Sequence, residues 1–503
     1  MSERNGLSNE MMVLSPCQDG ASTDTAVPME RGRERGAYWS KLVNLRSSTR
    51  APVEWVFNLP TTRLIVLGVF CFALALTGGS SRFDASQIAI LRPLSAVLLI
   101  PTLWFLGRDD LRRAPLVLVL AGLWLVWMVL QLIPLPADLW HQLPARDAIR
   151  DLDAIAGLDG VSRPISFAPF RGGGSVFAMT VPICALLMAL AFKLNSRQLL
   201  LLVAAFGVFD AALGLLQVLG GAQSPLYFYA ITNRGFPVGV FANENHSALL
   251  SAMALIIIIR LGLSASAALD ARWLRLAYIP GFILVLLVVL LSGSRAGLVF
   301  ALIALGVGAI MAWFERFGSA DKSRKRGMVS DARISRLLSA VALTIPFGLI
   351  VAFLVLDRTP AFEDILTRSS FEDLRWSIWP LLKDMMQAHW LFGTGFGSFD
   401  KVYQIYEPTD LLMRAYVNQA HNDWAQVVIE GGLPALMIAF AAIIWLAGSI
   451  RLIWSRRKAA AIFWLAIFAI LGAASLVDYP LRTPIIQSLA LWLALVLADD
   501  KNG

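Results

Sequence analysis

The turn between two apolar runs at residues 291–297 contains the first polar pair suited to chemistry, Ser294 and Arg295. A guanidinium in such a short turn has two interpretations. It can snorkel to the membrane interface, or it can form a fixed anion site, because its planar fork binds phosphate oxygens in pairs. The sequence leaves both interpretations of Arg295 open, and Ser294 is a candidate for contacting the same anion.

A second polar stretch, residues 231–246, precedes another apolar run and contains Arg234, Asn243, Asn245 and His246. Either asparagine can cap the following helix. The free N–H groups of that helix beside Arg234 also predict an anion site, so both interpretations stand. We interpret His246 as a hydrogen-bonded residue at the membrane interface rather than a catalyst.

The third stretch ends with His421, Asn422 and, nine residues after the histidine, Glu430. Histidine is the natural general base near neutral pH, so His421 is either a proton acceptor or an interface residue that caps the next helix. A carboxylate inside an apolar run indicates function or a buried ion pair, and Glu430 could neutralise one of the arginines. The spacing does not require His421 and Glu430 to pair.

Two further features precede His421. Residues 371–388, with Trp376 and Trp379, alternate at helical spacing and predict an amphipathic helix on the outer leaflet. The glycines between Gly393 and Gly397 predict a turn that permits close backbone approach.

The elements that must position these residues are membrane helices. The chain has 503 residues, of which 57% are hydrophobic and 16% charged, and its mean hydropathy is +0.66. Soluble domains are less apolar and more charged. An all-α polytopic membrane protein is therefore predicted, with about twelve transmembrane helices near 62–78, 88–106, 115–136, 175–192, 198–218, 246–262, 277–293, 296–314, 337–356, 425–447, 460–477 and 484–498.

Basic residues predict the orientation. Most Lys and Arg clusters fall in the short loops on the side of the N-terminus, which the positive-inside rule places in the cytoplasm. We therefore predict that both termini are cytoplasmic and that the net charge of +8 reflects these loops rather than nucleic-acid binding. The predicted domains are a disordered cytoplasmic tail at 1–60 and a transmembrane domain at 61–499, with a large outer loop at 357–424.

Together these motifs resemble the O-antigen ligase and Wzy-type O-antigen polymerase superfamily of bacterial inner-membrane glycosyltransferases. The resemblance covers roughly residues 200–440. Trp390 stands where the family usually has a proline. The motifs that carry the resemblance are Gly239-Val-Phe-Ala-Asn-Glu-Asn-His246, Ser292-Gly-Ser-Arg-Ala-Gly297, Arg375 through Phe399, His421-Asn422 and Glu430-Gly431.

The resemblance implies a fold of the GT-C type and a periplasmic active site that needs no metal or cofactor. The enzyme would transfer a glycan from undecaprenyl pyrophosphate to an acceptor hydroxyl on a glycolipid or glycan, with inversion at the anomeric carbon. His421 would be the base, and Arg295 and Arg234 would bind the pyrophosphate. The residues expected to position substrate are Asn422, Asn243, Asn245, Arg375 and Ser294.

Alternatives remain at this stage. A ligase and a polymerase share the donor, and a protein-glycosylating relative is a further variant. A twelve-span secondary transporter is the rival from another class, which Asp210 within a predicted span keeps open. A non-catalytic scaffold of a polysaccharide-export complex is the third class.

Overall fold

The computed structural model describes residues 59–264, 269–292, 295–318, 377–412 and 417–502. Side chains are described in all of these ranges except at 269–276, 295–296, 316–318 and 410. The predicted tail at 1–60 lies almost wholly outside the described residues, as does the predicted span at 337–356.

The described residues form helices, with one isolated β-bridge between Leu135 and Arg163. The helices of eight residues or more are α1 (Thr61–Thr77), α2 (Ile88–Phe105), α3 (Pro115–Leu130), α4 (Asp147–Ala156), α5 (Pro169–Ala178), α6 (Thr180–Ala191), α7 (Ser196–Leu219), α8 (Glu244–Ser264), α9 (Leu269–Leu291), α10 (Arg295–Gly318), α11 (Trp379–His389), α12 (Phe399–Tyr406), α13 (Asp423–Arg456), α14 (Lys458–Val477) and α15 (Pro484–Asn502).

Seven helical stretches in the described part are long and apolar enough to cross a membrane, and three shorter helices are apolar too. The all-α membrane class is therefore confirmed. Eleven of the twelve predicted spans fall on described helices, while the count of twelve crossings stays a prediction. The seven stretches are Ile88–Phe105, Pro169–Ala191, Ser196–Leu219, Glu244–Ser264, Gly297–Glu315, Asp423–Arg456 and Lys458–Val477.

At one end of the helices the connecting segments bind one another. We call this end, where residues 79–81, 167, 242, 394 and 419 meet, the loop end. The backbone N–H of Ala242 donates to the carbonyl of Gly79 (3.1 Å), and the N–H of Phe167 donates to the carbonyl of Thr394 (2.8 Å). The side chain of Gln419 reaches the carbonyl of Ser81. Polar residues from segments far apart in sequence therefore meet at this end.

At the opposite end, the last turn of α15 lies close to three arginines from other parts of the chain, of which Arg260 lies near the end of α8. Asp499 pairs with Arg113 (2.6 Å), and Asp500 pairs with Arg260 (2.8 Å) and lies 3.6 Å from Arg457. These basic residues belong to the connections that the positive-inside rule assigns to the cytoplasm.

Asp210 holds the loop end against the helices. Its two carboxylate oxygens accept hydrogen bonds from the backbone of Val240 (2.7 Å) and from Ser247 Oγ (2.6 Å). The side chain is fully buried. A buried carboxylate with these bonds joins α7 to α8 and to the segment before α8, so Asp210 has the structural role that is commoner for such residues than ion transport.

The amphipathic helix exists as α11, but protein covers its apolar side. Leu382 and Met385 are buried in a cluster that includes Phe399 and Ile429, whereas Trp379 is 42% exposed. The sequence predicted that the apolar side of this helix, with Trp379, lies on the outer leaflet. The structure corrects that placement, because α12 and the start of α13 provide the apolar partner. Trp376 and Arg375 lie outside the described residues.

Candidate catalytic site at the loop end

His421 is held at the entrance to α13 in a conformation that few residues adopt. Its φ is +50°, in the left-handed region, which costs a non-glycine residue free energy unless its neighbours fix it. The next residue, Asn422, supplies such fixation. Its Oδ1 caps α13 by accepting from the N–H of Ala425 (2.9 Å), and its Nδ2 donates to the carbonyl of Leu476 (2.9 Å).

Asp478, in the short turn between α14 and α15, joins the polar residues of two distant segments. Its Oδ2 accepts hydrogen bonds from Nδ2 of Asn243 (3.1 Å) and of Asn245 (3.0 Å). Its Oδ1 lies 3.6 Å from Nδ1 of His421 and 3.8 Å from Nε2 of His246. One nearly buried carboxylate thus faces two asparagines and two histidines.

The two histidines differ in access. The side chain of His246 is 2% exposed, whereas that of His421 is 23% exposed. Both rings contact the ring of Tyr479 edge to face, at centroid distances of 5.2 Å and 4.8 Å. Because a base must reach its substrate, His421 is the histidine of this pair suited to proton transfer.

Asn243 also shapes this cluster locally. Its Oδ1 accepts from the N–H of Asn245 (2.9 Å) and so caps the first turn of α8, as one sequence interpretation predicts. Its Nδ2 meanwhile binds Asp478. The start of α8 is therefore fixed against the end of α14.

Arg482 lies four residues after Asp478 and binds two buried acids. Its Nη1 lies 2.5 Å from Oε2 of Glu430, and its Nε lies 3.5 Å from Oδ1 of Asp423. Burial alone would lower the pKa of the guanidinium, but the charges of the two acids raise it. The sequence interpretation that Glu430 neutralises an arginine is confirmed, with Arg482 as the partner.

The glycine loop approaches Glu430 closely, as the sequence predicts. The N–H groups of Gly397 (3.0 Å) and Phe399 (3.2 Å) donate to Oε1 of Glu430. Gly393 has a φ of +73°, and a Cβ there would lie 2.2 Å from the carbonyl oxygen of Glu430. The backbone of α13 is itself non-helical at Gly432, so the loop packs against a kink.

A buried arginine supports this loop from behind. Nη2 of Arg146 donates to the carbonyls of Ile165 (2.9 Å) and Gly393 (3.2 Å), and its guanidinium stacks on Phe167 at 3.9 Å. Burial lowers the pKa of Arg146 to about 9, partly opposed by Tyr406, so the side chain is protonated at neutral pH.

His389 lies beside that arginine. Its Nε2 is 3.0 Å from the hydroxyl of Tyr406. Burial lowers the pKa of His389 to about 4, and the charge of Arg146 adds to this effect. His389 is therefore neutral near pH 7. It helps to hold the glycine loop, because its carbonyl accepts a hydrogen bond from the N–H of Gly393 (2.9 Å).

The family model described as O-Antigen ligase matches residues 280–440. That segment contains Arg295, the glycine loop, His421 and Glu430. Over this segment the chain is similar to the O-antigen ligase family, which supports membership of the O-antigen ligase and polymerase superfamily. This family consists of membrane glycosyltransferases that act on lipid-linked glycans. No curated protein matches the chain.

The O-antigen ligase motifs converge in part in the described structure. Asn243, Asn245 and His421 meet at Asp478, and Asn422 fixes His421. The exposed side chain of Arg234 contacts the carbonyl of Ala222 (3.4 Å) and the Tyr227 ring (5.6 Å) instead of these residues. Ser294, Arg375 and the side chain of Arg295 lie outside the described residues, so their positions stay predictions.

Asp478 and Tyr479, which lie beyond the matched segment, were not predicted from the sequence. A signal was present, because an acid at the end of an apolar run is costly and indicates a partner. Arg482 was not among the predicted site residues either. The asparagines, histidines and acids that these three residues contact are separated from them in sequence by one or more whole helices.

Proposed function

We propose that this chain is a glycosyltransferase that moves a glycan from undecaprenyl pyrophosphate to a hydroxyl of an acceptor glycolipid or glycan. The proposal rests on the contacts of Asp478 with residues of two distant segments. These contacts bring an accessible histidine together with the asparagines of a separate family motif. A carboxylate behind an imidazole is the arrangement of a general base whose partner orients it.

In the proposed step, the acceptor oxygen forms a bond to the anomeric carbon as the bond from that carbon to the pyrophosphate oxygen breaks. Nε2 of His421 takes the proton of the acceptor hydroxyl, because Nδ1 faces Asp478. The carboxylate stabilises the imidazolium that forms. Attack from the side opposite the leaving group gives inversion at the anomeric carbon.

The leaving pyrophosphate gains negative charge, which cationic groups must stabilise. We assign this role to Arg295 and Arg234, with Ser294 and Arg375 as further substrate contacts. Asn422, Asn243 and Asn245 act by holding His421 and Asp478 in place. Replacing Arg295 by lysine keeps the charge but removes the fork, so it should greatly reduce turnover, and near-normal turnover would contradict the role.

The chemistry as proposed needs no metal. Purified protein treated with EDTA should therefore transfer glycan at its untreated rate. Inhibition by EDTA that Mg²⁺ reverses would overturn this part of the proposal.

The loop end faces the periplasm of a bacterial inner membrane in this proposal, and both termini face the cytoplasm. The basic residues at the opposite end support this orientation. A reporter enzyme fused near residue 400 should be active only if it reaches the periplasm. Activity of a cytoplasmic reporter at that position would contradict the orientation.

Within the superfamily we propose a ligase, with a polymerase as the alternative. The lipopolysaccharide gel profile of a deletion strain separates them. Loss of every capped chain indicates a ligase, and a single repeat on the core indicates a polymerase. An unchanged profile, with another exported polysaccharide lost, would point to a different acceptor, and no change in any surface glycan would contradict glycan transfer.

Complementation connects this phenotype to the site. The deletion strain expressing the His421→Ala chain should keep the deletion phenotype although the protein accumulates normally. A scaffold or a transporter should tolerate the change. The matched control is His141→Ala, a histidine in the segment between α3 and α4 with no contact to Asp478 among the described residues.

A further inference from the structure

A cavity of about 200 Å³ lies at the loop end beside the histidine cluster. Asp423, two residues after His421, and Leu481, two residues after Tyr479, both line it. Its walls come from six segments of the chain that are distant in sequence, so it is a product of the fold. Among the described residues, none from the connection that carries Arg234 lines this cavity.

Three arginines line the cavity, and two of them are neutralised by acids that also line it. Arg171 pairs with Asp400 (3.2 Å), and Arg482 pairs with Glu430 (2.5 Å). Arg92 is different. Its Nη1 donates to the carbonyl of Gly174 (3.0 Å), but no carboxylate of the described residues lies within ion-pairing distance of it.

The buried Nε of Arg92 also has no hydrogen-bond partner among the described residues. Arg92 lies in the first turns of α2, a candidate membrane span, where an uncompensated charge is expensive. A guanidinium with unused donors at a cavity fits an anionic ligand group, because its fork matches carboxylate and phosphate oxygens.

The rest of the lining is suited to a sugar ring. The aromatic side chains of Phe83, Trp124 and Phe396 provide apolar faces, and Phe83 lies under the guanidinium of Arg171 at 4.0 Å. The amides of Asn418 and Gln487 line the same space. A mainly apolar wall with a few placed polar groups is typical of small-molecule sites, and this volume suits about one sugar unit.

We propose that this cavity binds the acceptor, as a sugar unit that carries an anionic group, and that Arg92 binds that group. This inference rests on the proposed function, which places the donor pyrophosphate at Arg234 and Arg295. A sugar in the cavity borders Asp423 and Leu481, and through them the segments that carry His421 and Asp478. It is therefore positioned to present a hydroxyl to the base.

Binding is tested without turnover, by saturation-transfer NMR on the purified full chain in detergent. The probes are glucose 6-phosphate, glucuronate and glucose. We expect the two acidic sugars, or one of them, to bind more tightly than glucose, and the stronger one identifies phosphate or carboxylate as the preferred group. Equal signals from all three probes would overturn the proposal.

Arg92→Gln should weaken binding of the preferred acidic sugar roughly tenfold or more, to the level of glucose. Arg82→Gln is the matched control, because Arg82 lies in the connection just before α2, pairs with Asp84 and does not line the cavity. It should bind the probes as the wild type does. Equal losses in both variants, or no loss in Arg92→Gln, would overturn the assignment of Arg92.

A transfer assay separates this inference from the proposed function. Arg92→Gln should raise KM for the acceptor and leave KM for the lipid-linked donor within about twofold. A raised donor KM alone would contradict the acceptor assignment while leaving glycan transfer intact. His421→Ala should slow transfer roughly 10²- to 10⁴-fold yet keep probe binding, because His421 does not line the cavity.

Discussion

Nδ1 of His421 lies 3.6 Å from Oδ1 of Asp478, although 56 residues separate them in the chain. The separation is slightly longer than a hydrogen bond, and catalytic contacts are often long in the absence of substrate. The same carboxylate accepts hydrogen bonds from Asn243 and Asn245, so its position is fixed from a third segment. Asp478 is thus oriented independently of the histidine that it faces.

Replacing Asp478 by asparagine should slow glycan transfer roughly 5- to 1,000-fold. The reason is that opposite charges about 4 Å apart attract by about 1 kcal/mol in water and about 4 kcal/mol near a protein surface. Transfer by purified protein measures this effect. Asp84→Asn, at an exposed acid on the same end, is the control and should be neutral. A wild-type rate of glycan transfer in Asp478→Asn would contradict the proposal that Asp478 orients His421.

Arg482→Met should destabilise the protein by about 3–5 kcal/mol, because it leaves the buried carboxylate of Glu430 without its counter-ion. Unfolding of the detergent-solubilised protein measures the loss. Adding Glu430→Gln to Arg482→Met should restore part of the lost free energy of unfolding. For Arg112→Ala, in an ion pair whose side chains are 82% and 91% exposed, we expect a change within about 0.5 kcal/mol. A similar small change in Arg482→Met would contradict this account.

Gly393→Ala should destabilise the glycine loop. The left-handed conformation alone costs an alanine roughly 1–2 kcal/mol, and its Cβ would lie 2.2 Å from the backbone oxygen of Glu430. Gly173→Ala is the control, since a Cβ there meets nothing within 4 Å on helix α5, and it should stabilise by roughly 0.5–1 kcal/mol. Thermal unfolding measures the stability of both variants. Equal stability of the two would contradict the close packing of Gly393 against Glu430.

Stability should fall as the pH drops from about 6.5 towards 4. The pKa of His389 is lowered to about 4 in the folded protein, whereas an unfolded histidine titrates near 6.5. Between these values the unfolded chain binds a proton that the folded chain does not, so acid favours unfolding. The contribution of His389 to the stability of the folded protein is fully present above about pH 6.5.

His389→Gln removes this titration and tests the assignment. The variant should show a smaller loss of unfolding free energy between pH 6.5 and 4 than the wild type does. Parallel pH curves for the two proteins would show that other groups cause the acid sensitivity.

Local patterns in the sequence were enough to predict the apolar helices and the close approach of the glycine loop. Each depends on hydropathy or backbone freedom. The pairing of Glu430 with an arginine was foreseen, but not that Arg482 is the partner. Which helix ends meet depends on tertiary packing, which hydropathy does not encode, and for this reason Asp478 and the apolar cover of α11 were missed.

The rate of glycan transfer by purified His421→Ala protein tests the central claim most directly. With a lipid-linked glycan as donor, the rate should fall roughly 10²- to 10⁴-fold, the usual contribution of a general base. The unfolding temperature should stay within a few degrees of the wild-type value. A rate within a few-fold of the wild-type rate would show that His421 does not accept the acceptor's proton.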